Sequence, residues 1–291
     1  MRSTFMLTLC FLLLIACGAS AQLPPLPQVQ VALVDMEGRR TPIGQLPISV
    51  FAPRVSPDGK ELLYDDQVDG QLWVAKLADF ASKRRVGSGN SRGPYWSIDG
   101  KRIFFITDFE REEALFWRAA DGSGTPEFLS KPVRAPESRS PQNILSFITL
   151  GTAGDYDIWT LNLATKERTP FYGIPRSAQH SSHFSPDGKW IAYASAETGR
   201  LEVYVRAFAA SSPPVQVSRN GGEHPLWSPD QKTLYFDVNH RMYATSISTG
   251  PTFTASTPRE LPILGFVQGP LRRQYDLMPD GKQFLMMFNT P

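Results

Sequence analysis

The sequence has 291 residues, of which 41% are hydrophobic and 20% are charged, and its formal net charge is +2. The 30 Lys and Arg and 28 Asp and Glu are dispersed, with no basic block, which excludes the clustered positive face that nucleic-acid binding requires. Its 25 Pro and 22 Gly, together with short apolar runs, indicate many turns and no long helices. A length above the usual range of about 100–200 residues is still compatible with one all-β domain.

The first 21 residues have the features of a secretory signal peptide. Arg2 precedes an apolar run from Phe5 to Ala16 that is too short to span a bilayer but typical of a secretory h-region. Ala19-Ser20-Ala21 fits a signal-peptidase site, whereas Leu14-Ile15-Ala16-Cys17 resembles a bacterial lipobox in which Cys17 would carry lipid. Both alternatives stay open, and both predict export to the periplasm or another extracytoplasmic compartment.

The mature chain is expected to fold without a disulfide. Its two cysteines, Cys10 and Cys17, both lie in the signal region or at its end, so stability must come from packing. Gln22–Gln28 then form an extended Pro-rich spacer that carries little information about the fold.

One hairpin signature recurs along the rest of the chain. In its clearest copy, Phe184-Ser185-Pro186-Asp187-Gly188, Pro presets φ, Asp can bond back to its own backbone and Gly accepts a positive φ. Copies, some of them degenerate, begin at Ser56, Ser97, Ser140, Ser185, Ser228 and Met278. Their third positions are 41, 43, 45, 43 and 50 residues apart. This period is typical of a four-stranded propeller blade, so six copies predict six blades with all these turns on one face.

The last repeat is incomplete. It supplies an inner hairpin around Tyr275–Leu277 and Phe284–Phe288 and then the sequence ends. Candidates for its missing outer strands are Val29–Asp35 and the segment after Gly38. The sequence therefore predicts an all-β, six-bladed propeller over residues 29–291, whose sixth blade is shared between the two ends of the domain.

These motifs resemble a known family. The Ser-Pro-Asp-Gly-Lys, Ile-Ala-Tyr, Val-Tyr-Val and Ala120-to-Gly124 elements resemble the WD-like repeats of TolB-type β-propellers. Ser185 to Phe208, Val217 to Gly222 and Tyr275 to Gly281 resemble more closely the propellers appended to bacterial serine/threonine kinases. The resemblance covers about residues 29–288 and implies the propeller fold. It says less about function, because such propellers serve as sensors, scaffolds and binding modules. The sequence departs from the kinases by having a signal peptide and no kinase domain, and from TolB by having no room for an α/β domain before Val29.

Few residues match an enzymatic pattern. Gly89-Asn90-Ser91-Arg92-Gly93 resembles a nucleophile elbow, but that chemistry needs a strand-to-helix turn, so an interblade loop is favoured. His180 and His183 are three residues apart on a predicted strand, which predicts opposite faces. His224 could approach His180 from the next blade and form a metal or acid–base site with Glu223, although polar side chains at a solvated mouth are favoured. We therefore expect no catalysis, no cofactor and no bound metal.

Two acidic segments have alternative interpretations. Asp65, Asp66 and Asp69 could contribute oxygen ligands to calcium, but their spacing is not that of an EF-hand, and a solvated hairpin loop is favoured. The run from Asp108 to Glu113 is interpreted first as a charged surface loop and second as a docking site.

The candidate working surface is the tunnel mouth opposite the turns. When the repeats are aligned on the motif Ser, the position five residues earlier is charged or titratable in four of six repeats: Arg92, His180, Glu223 and Arg273. Convergent polar groups at a concave opening predict a binding site there, which also includes His224, and Arg92 and Arg273 are expected to be exposed. The first hypothesis is a monomeric, non-catalytic propeller that binds a protein or peptide in the bacterial cell envelope, with membrane contact only through lipid on Cys17. The alternative is a propeller lyase or hydrolase that acts on a glycan or another small substrate at the same mouth.

Overall fold

The structure is a computed structural model, and it describes residues 27–87, 89–172, 174, 176–209, 212–250, 252–269 and 271–290. The predicted signal peptide (residues 1–21), the lipobox with Cys17 and all but the last two residues of the 22–28 spacer lie outside the described residues. No helix in these ranges is long and apolar enough to cross a bilayer.

The described strands form six antiparallel sheets, which are the six predicted blades. The first two strands, β1 (Gln28–Asp35) and β2 (Arg40–Pro47), belong to blade 6. Blade 1 contains β3 (Val50–Val55), β4 (Glu61–Asp66), β5 (Gln71–Lys76) and β6 (Asp79–Arg85). Blade 2 contains β7 (Arg92–Trp96), β8 (Arg102–Phe109), β9 (Glu112–Ala119) and β10 (Glu127–Ser130). Blade 3 contains β11 (Ala135–Arg139), β12 (Ile144–Leu150), β13 (Tyr156–Asn162) and β14 (Arg168–Tyr172).

The remaining blades follow the same order from the tunnel outwards. Blade 4 contains β15 (Gln179–Phe184), β16 (Trp190–Ser195), β17 (Glu202–Ala207) and β18 (Val215–Gln216). Blade 5 contains β19 (Glu223–Trp227), β20 (Thr233–Val238) and β21 (Arg241–Thr249), and both β22 (Phe253–Ala255) and β23 (Arg259–Leu264) pair with β21. The chain returns to blade 6 with β24 (Tyr275–Leu277) and β25 (Gln283–Asn289).

The six motif turns have the predicted geometry. In each, the backbone N–H of the fourth residue donates to the carbonyl of the first, as in Gly188 to Ser185 at 2.8 Å. Gly188 has a φ of +72°, which its lack of a Cβ permits. Neighbouring turns touch, since a Cβ added at Gly59 of blade 1 would lie 3.4 Å from Pro279 of blade 6, and one at Gly100 would lie 3.6 Å from Pro57. The turns therefore form a contiguous ring on one face, as predicted.

Blade 6 closes the ring with strands from both ends of the chain. β1 pairs with β25 from Val29 opposite Asn289 to Asp35 opposite Gln283, and β2 pairs with the other edge of β1. The side chains of Val29, Val31 and Val34 are at most 2% exposed. This confirms that the sixth blade is shared, and that β1 contributes core residues.

The inner strands are not regular. In blades 1 to 5 the register between the inner and second strands shifts by one residue just after the strand begins. In blades 1, 2, 4 and 5 the residue at this bulge has a positive φ; these residues are Ala52, Gly93, Ser181 and His224. A bulge leaves its N–H outside the ladder and redirects the side chains that follow it. The side chains of the inner strands therefore do not alternate regularly between two faces, and polar groups near the bulge point towards the neighbouring blade.

Removing β1 should open the ring. A chain that begins at Gln28 keeps the β1–β25 ladder, whereas one that begins at Gly38 leaves β25 as an exposed apolar edge, which favours aggregation. Loss of the three buried Val side chains of β1 should also destabilise the fold by at least about 4 kcal/mol. Thermal unfolding and light scattering compare the two deletions with the parent. A monomeric chain from Gly38 that melts with the parent would contradict the closure.

Candidate functional site

The mouth opposite the turns is covered by the segment that joins β23 to β24. We call residues 265–269 and 271–274 the strap. Gln268 Nε2 bonds Asp237 of blade 5, and Ser181 Oγ of blade 4 donates to the carbonyl of Leu271 at 3.4 Å. Arg272 reaches further across the ring.

Arg272 contacts three more blades. Its Nη2 donates to the carbonyl of Arg134 at the start of blade 3 at 3.2 Å, and its Nη1 lies 3.6 Å from Asp65 Oδ2 of blade 1. A Cβ added at Gly93 of blade 2 would lie 3.1 Å from its guanidinium carbon. Because the strap contacts blades 1 to 5 and leads into blade 6, it lies across the tunnel axis and closes this mouth.

Of the five predicted site residues, His180 and His224 lie beneath the strap and Arg273 is part of it. His180 and His224 are each 3% exposed and Arg273 is 7% exposed. The expectation that Arg273 is an exposed charge is therefore wrong. Its Nε donates to the carbonyl of Tyr275 at 2.9 Å, and its Nη2 pairs with Asp276 Oδ1 at 3.0 Å, so it forms a structural ion pair with the inner strand of blade 6.

The two histidines approach each other as the sequence suggested. Their ring centroids are 6.4 Å apart. Burial lowers the pKa of His180 to about 3, so this ring is neutral, and its Nδ1 lies 2.8 Å from Ser181 Oγ. His224 Nδ1 lies 2.9 Å from Asp237 Oδ1, which also accepts from the hydroxyl of Tyr275 at 2.8 Å. The contacts to Asp237 join blades 5 and 6.

His183 has different neighbours. The opposite-face prediction assumed a regular strand, but the bulge between His180 and His183 removes the alternation. His183 lies near Arg54 and Arg273, and burial lowers the pKa of its imidazole well below the usual value. No group of three His, Cys, Asp or Glu side chains in the described residues is arranged to hold a metal ion.

Arg92 and Glu223 lie at the rim rather than beneath the strap. Arg92 Nε donates to Glu113 Oε1 at 3.1 Å, and its Nη2 pairs with Asp108 at 3.1 Å. Arg134 pairs with the other oxygen of Glu113. Glu223 is partly buried, and this burial raises the pKa of its carboxyl. The structure thus divides the predicted site into a buried group and a rim group.

Sequence reasoning placed Asp65 incorrectly. Asp65 lies within β4, one residue before the strand ends, and is 1% exposed, so the solvated-loop interpretation is wrong for this residue. Its Oδ2 accepts from the bulged N–H of Gly93 at 2.7 Å. Asp66 and Asp69 do form turn contacts, since they accept from the backbone N–H groups of Val68 and Gln71. Asp237 follows Leu234-Tyr235-Phe236 within β20 as Asp65 follows Leu62-Leu63-Tyr64 within β4, and this recurrence was a usable signal.

Glu137 was missed as well. This carboxylate is 8% exposed and accepts from the backbone N–H groups of Ser181 and Ser182 of the next blade at 2.5 and 2.7 Å. Burial raises its pKa to about 7, although these donors act in the opposite direction. In the sequence, the only sign of this role was the position of Glu137 next to Pro136 in an inner strand.

Several solved structures share this fold. A putative TolB from Agrobacterium tumefaciens superposes with a TM-score of 0.71 over 92% of this chain and 100% of that chain, at 20% identity. TolB from Acinetobacter baumannii gives 0.53 over 90% of this chain and 63% of that one, at 17% identity. The chain has a TolB-like β-propeller fold.

Sequence relatives of this TolB-like propeller differ in their names. An uncharacterized protein of Agrobacterium fabrum is 27% identical over 203 residues, which is 67% of each chain. The uncharacterized peptidase YuxL of Bacillus subtilis is 25% identical over 210 residues, and the Tol-Pal system protein TolB of Anaeromyxobacter dehalogenans is 32% identical over 85 residues. The match spans only 30% of the peptidase and 20% of that TolB. No family model matches the chain.

Glu137 should make stability depend on pH. Its folded pKa of about 7 lies above the ordinary 4.5, so its contribution is fully present below pH 4.5 and is lost as the pH rises through 7. The stability of the parent relative to Glu137→Gln should fall by roughly 3 kcal/mol between pH 4.5 and pH 8. Urea unfolding at both pH values measures this difference, and a constant difference would contradict the raised pKa.

Arg272 should hold the strap closed. In Arg272→Ala the contacts with Asp65 and the carbonyl of Arg134 are lost, and closure should weaken by at least about 1.4 kcal/mol. Diethyl pyrocarbonate should then modify His180 and His224 roughly tenfold faster. Replacement of Arg111, an exposed arginine on the same face, serves as the control. Equal modification rates in all three proteins would show that the strap does not limit access.

Proposed function

We propose that the protein is an exported propeller that binds a protein or peptide partner in the bacterial cell envelope. The TolB-like fold and the match to a Tol-Pal system protein support this assignment. The predicted signal peptide supports export, with either signal-peptidase cleavage or lipid on Cys17. The working surface is the outer side of the strap face, because the strap covers the tunnel mouth.

An exposed aromatic cluster on blade 2 carries the proposal. Phe109 is 37% exposed and Phe128 is 42% exposed, and their ring centroids are 5.4 Å apart. Phe116 packs edge-on against both, at 5.5 and 5.7 Å. Phe109 ends β8 at the hairpin opposite the motif turns, so it belongs to the strap face. Aromatic side chains left in water beside charged groups are typical of the centre of a protein interface.

Charged groups border this aromatic cluster. Arg92, Asp108, Glu113 and Arg134 form a connected set of ion pairs along the β8–β9 hairpin. Lys131 pairs with Glu110 at 2.6 Å, and its ammonium lies 5.7 Å from the Phe109 ring centroid. A mixed charged rim around an aromatic centre gives a partner both its register and its apolar contact. The docking interpretation of the 108–113 segment is thus part of the proposal, as is the role of Arg92 at the mouth.

The double variant Phe109→Ser and Phe128→Ser should lose the partner. Truncating two central aromatic side chains typically costs at least about 2 kcal/mol of binding, or roughly thirtyfold in affinity. Chemical crosslinking in the envelope fraction, followed by purification of the tagged protein, identifies the partner and compares its recovery. Because both rings are partly exposed, the melting temperature should change little.

Ile98→Ser provides the matched control. Ile98 is 50% exposed and lies in a motif turn on the opposite face, so it removes a similar apolar area elsewhere. The partner should be recovered with this variant as with the parent. Equal recovery with the double Phe variant would exclude the blade 2 surface, and turnover of a substrate by the purified protein would favour the enzyme alternative instead.

A further inference from the structure

The tunnel remains accessible below the strap, towards the ring of turns. At the strap end, Gln274 of the strap and Ser182 of the inner strand of blade 4 are 1% and 2% exposed. Two positions before the motif Ser, however, Tyr95, His183 and Asp276 keep part of their surface accessible. Part of the tunnel below the strap is therefore not filled by side chains, and we call the space around these three residues the chamber.

Arg54 occupies the same aligned position and lacks a carboxylate partner. It is 7% exposed. Its Nη1 donates to the carbonyl oxygens of Pro53 at 2.7 Å and Arg273 at 3.0 Å. Its Nε is buried without a hydrogen bond, and its Nη2 makes none within the described part of the chain. The guanidinium thus retains two free donor groups inside the tunnel.

The charges around Arg54 are unbalanced. Arg272 and Arg273 are its nearest cationic neighbours, and each has its own carboxylate, in Asp65 and Asp276. Burial and the charge of Arg273 lower the pKa of Arg54 to about 10, although the Asp276 carboxylate acts in the opposite direction, so the group is still charged at neutral pH. Arg54 has no carboxylate in direct contact among the described residues and shares the Asp276 charge with Arg273. A buried charge that is only partly compensated is unfavourable, and an anion in the chamber would complete its compensation.

Two further side chains face the same space. His183 lies close enough to Arg54 for their charges to interact, and its Nδ1 is buried without a hydrogen bond among the described residues. Tyr95 interacts electrostatically with both Arg54 and Asp276, which places its hydroxyl in the same chamber. A phenol and an imidazole can each donate one hydrogen bond to an oxygen atom.

We propose that the chamber binds an oxyanion, a carboxylate or phosphate group of a small molecule, through the guanidinium of Arg54 with Tyr95 and His183 beside it. The planar fork of a guanidinium matches the paired oxygens of such groups better than it matches a spherical ion. The ligand enters from the side of the motif turns, because the strap covers the other end. This site is separate from the blade 2 surface and does not depend on partner binding.

Isothermal titration of the purified protein with sodium acetate, sodium phosphate and sodium chloride tests the proposal. Acetate or phosphate should bind saturably and at least about tenfold more tightly than chloride. The tighter of the two oxyanions then identifies the ligand group as carboxylate or phosphate. Arg54→Met should weaken this binding at least about tenfold. Arg54→Lys, which keeps the charge but loses the fork, should give an intermediate affinity.

Arg168→Met is the matched control. Arg168 also donates to backbone carbonyls, those of Lys131 and Pro132, and has no carboxylate partner among the described residues, but it lies at the outer edge of blade 3. It should bind the oxyanions as the parent does. If Arg54→Met does not fold, Tyr95→Phe gives the readout through loss of one hydroxyl. No saturable binding, equal binding of chloride, or unchanged affinity in the Arg54 or Tyr95 variants would overturn the proposal.

Discussion

Adjacent blades of the ring do not share a backbone ladder at the tunnel, so the inner strands depend on side chains that bond the backbone of the next blade. Gln274 accepts from the N–H of Ala52, Asp65 from that of Gly93, and Glu137 from that of Ser181. Each of these N–H groups lies at a bulge, where the strand pairing leaves it free. Each bulge therefore depends on a buried polar side chain of the neighbouring blade to accept its N–H, and that side chain in turn depends on the bulge for its donor.

Because buried polar side chains join neighbouring blades in this way, polar residues near the tunnel are poor evidence for catalysis. His224, Asp237 and Tyr275 form a compact hydrogen-bonded group that resembles a catalytic constellation in composition. In the ring they connect blade 5 to blade 6, and the strap covers them. Burial raises the pKa of the Tyr275 hydroxyl well above its usual value, and perturbed groups of this kind also occur in ion-pair networks without chemistry. Arg54 differs because its hydrogen bonds leave donors and charge unused.

The sequence predicted the features that depend on local chemistry. Each Ser-Pro-Asp-Gly turn closes within four residues, so its pattern appears in the sequence wherever the turn exists, and the spacing gave six blades and the shared blade 6. The strap, the burial of Arg273 and the role of Asp65 depend on contacts such as Arg272 with Asp65, which are 207 positions apart along the chain and leave no local pattern. One signal was present: the last repeat spacing is 50 residues rather than 41–45, and β22 and the strap lie within that interval.

The pairing of β1 with β25 also sets the order in which the protein can be completed. Thr290 Oγ1 donates to the carbonyl of Gln28, across 262 positions of sequence. During synthesis, β1 emerges early but has no inner neighbour until β25 arrives, and contacts of such high sequence separation form slowly. Five blades can assemble while the first strand still presents an unpaired edge. Maturation of this protein should therefore be most sensitive to holding chaperones and to chain concentration in the interval just before its last strand is delivered.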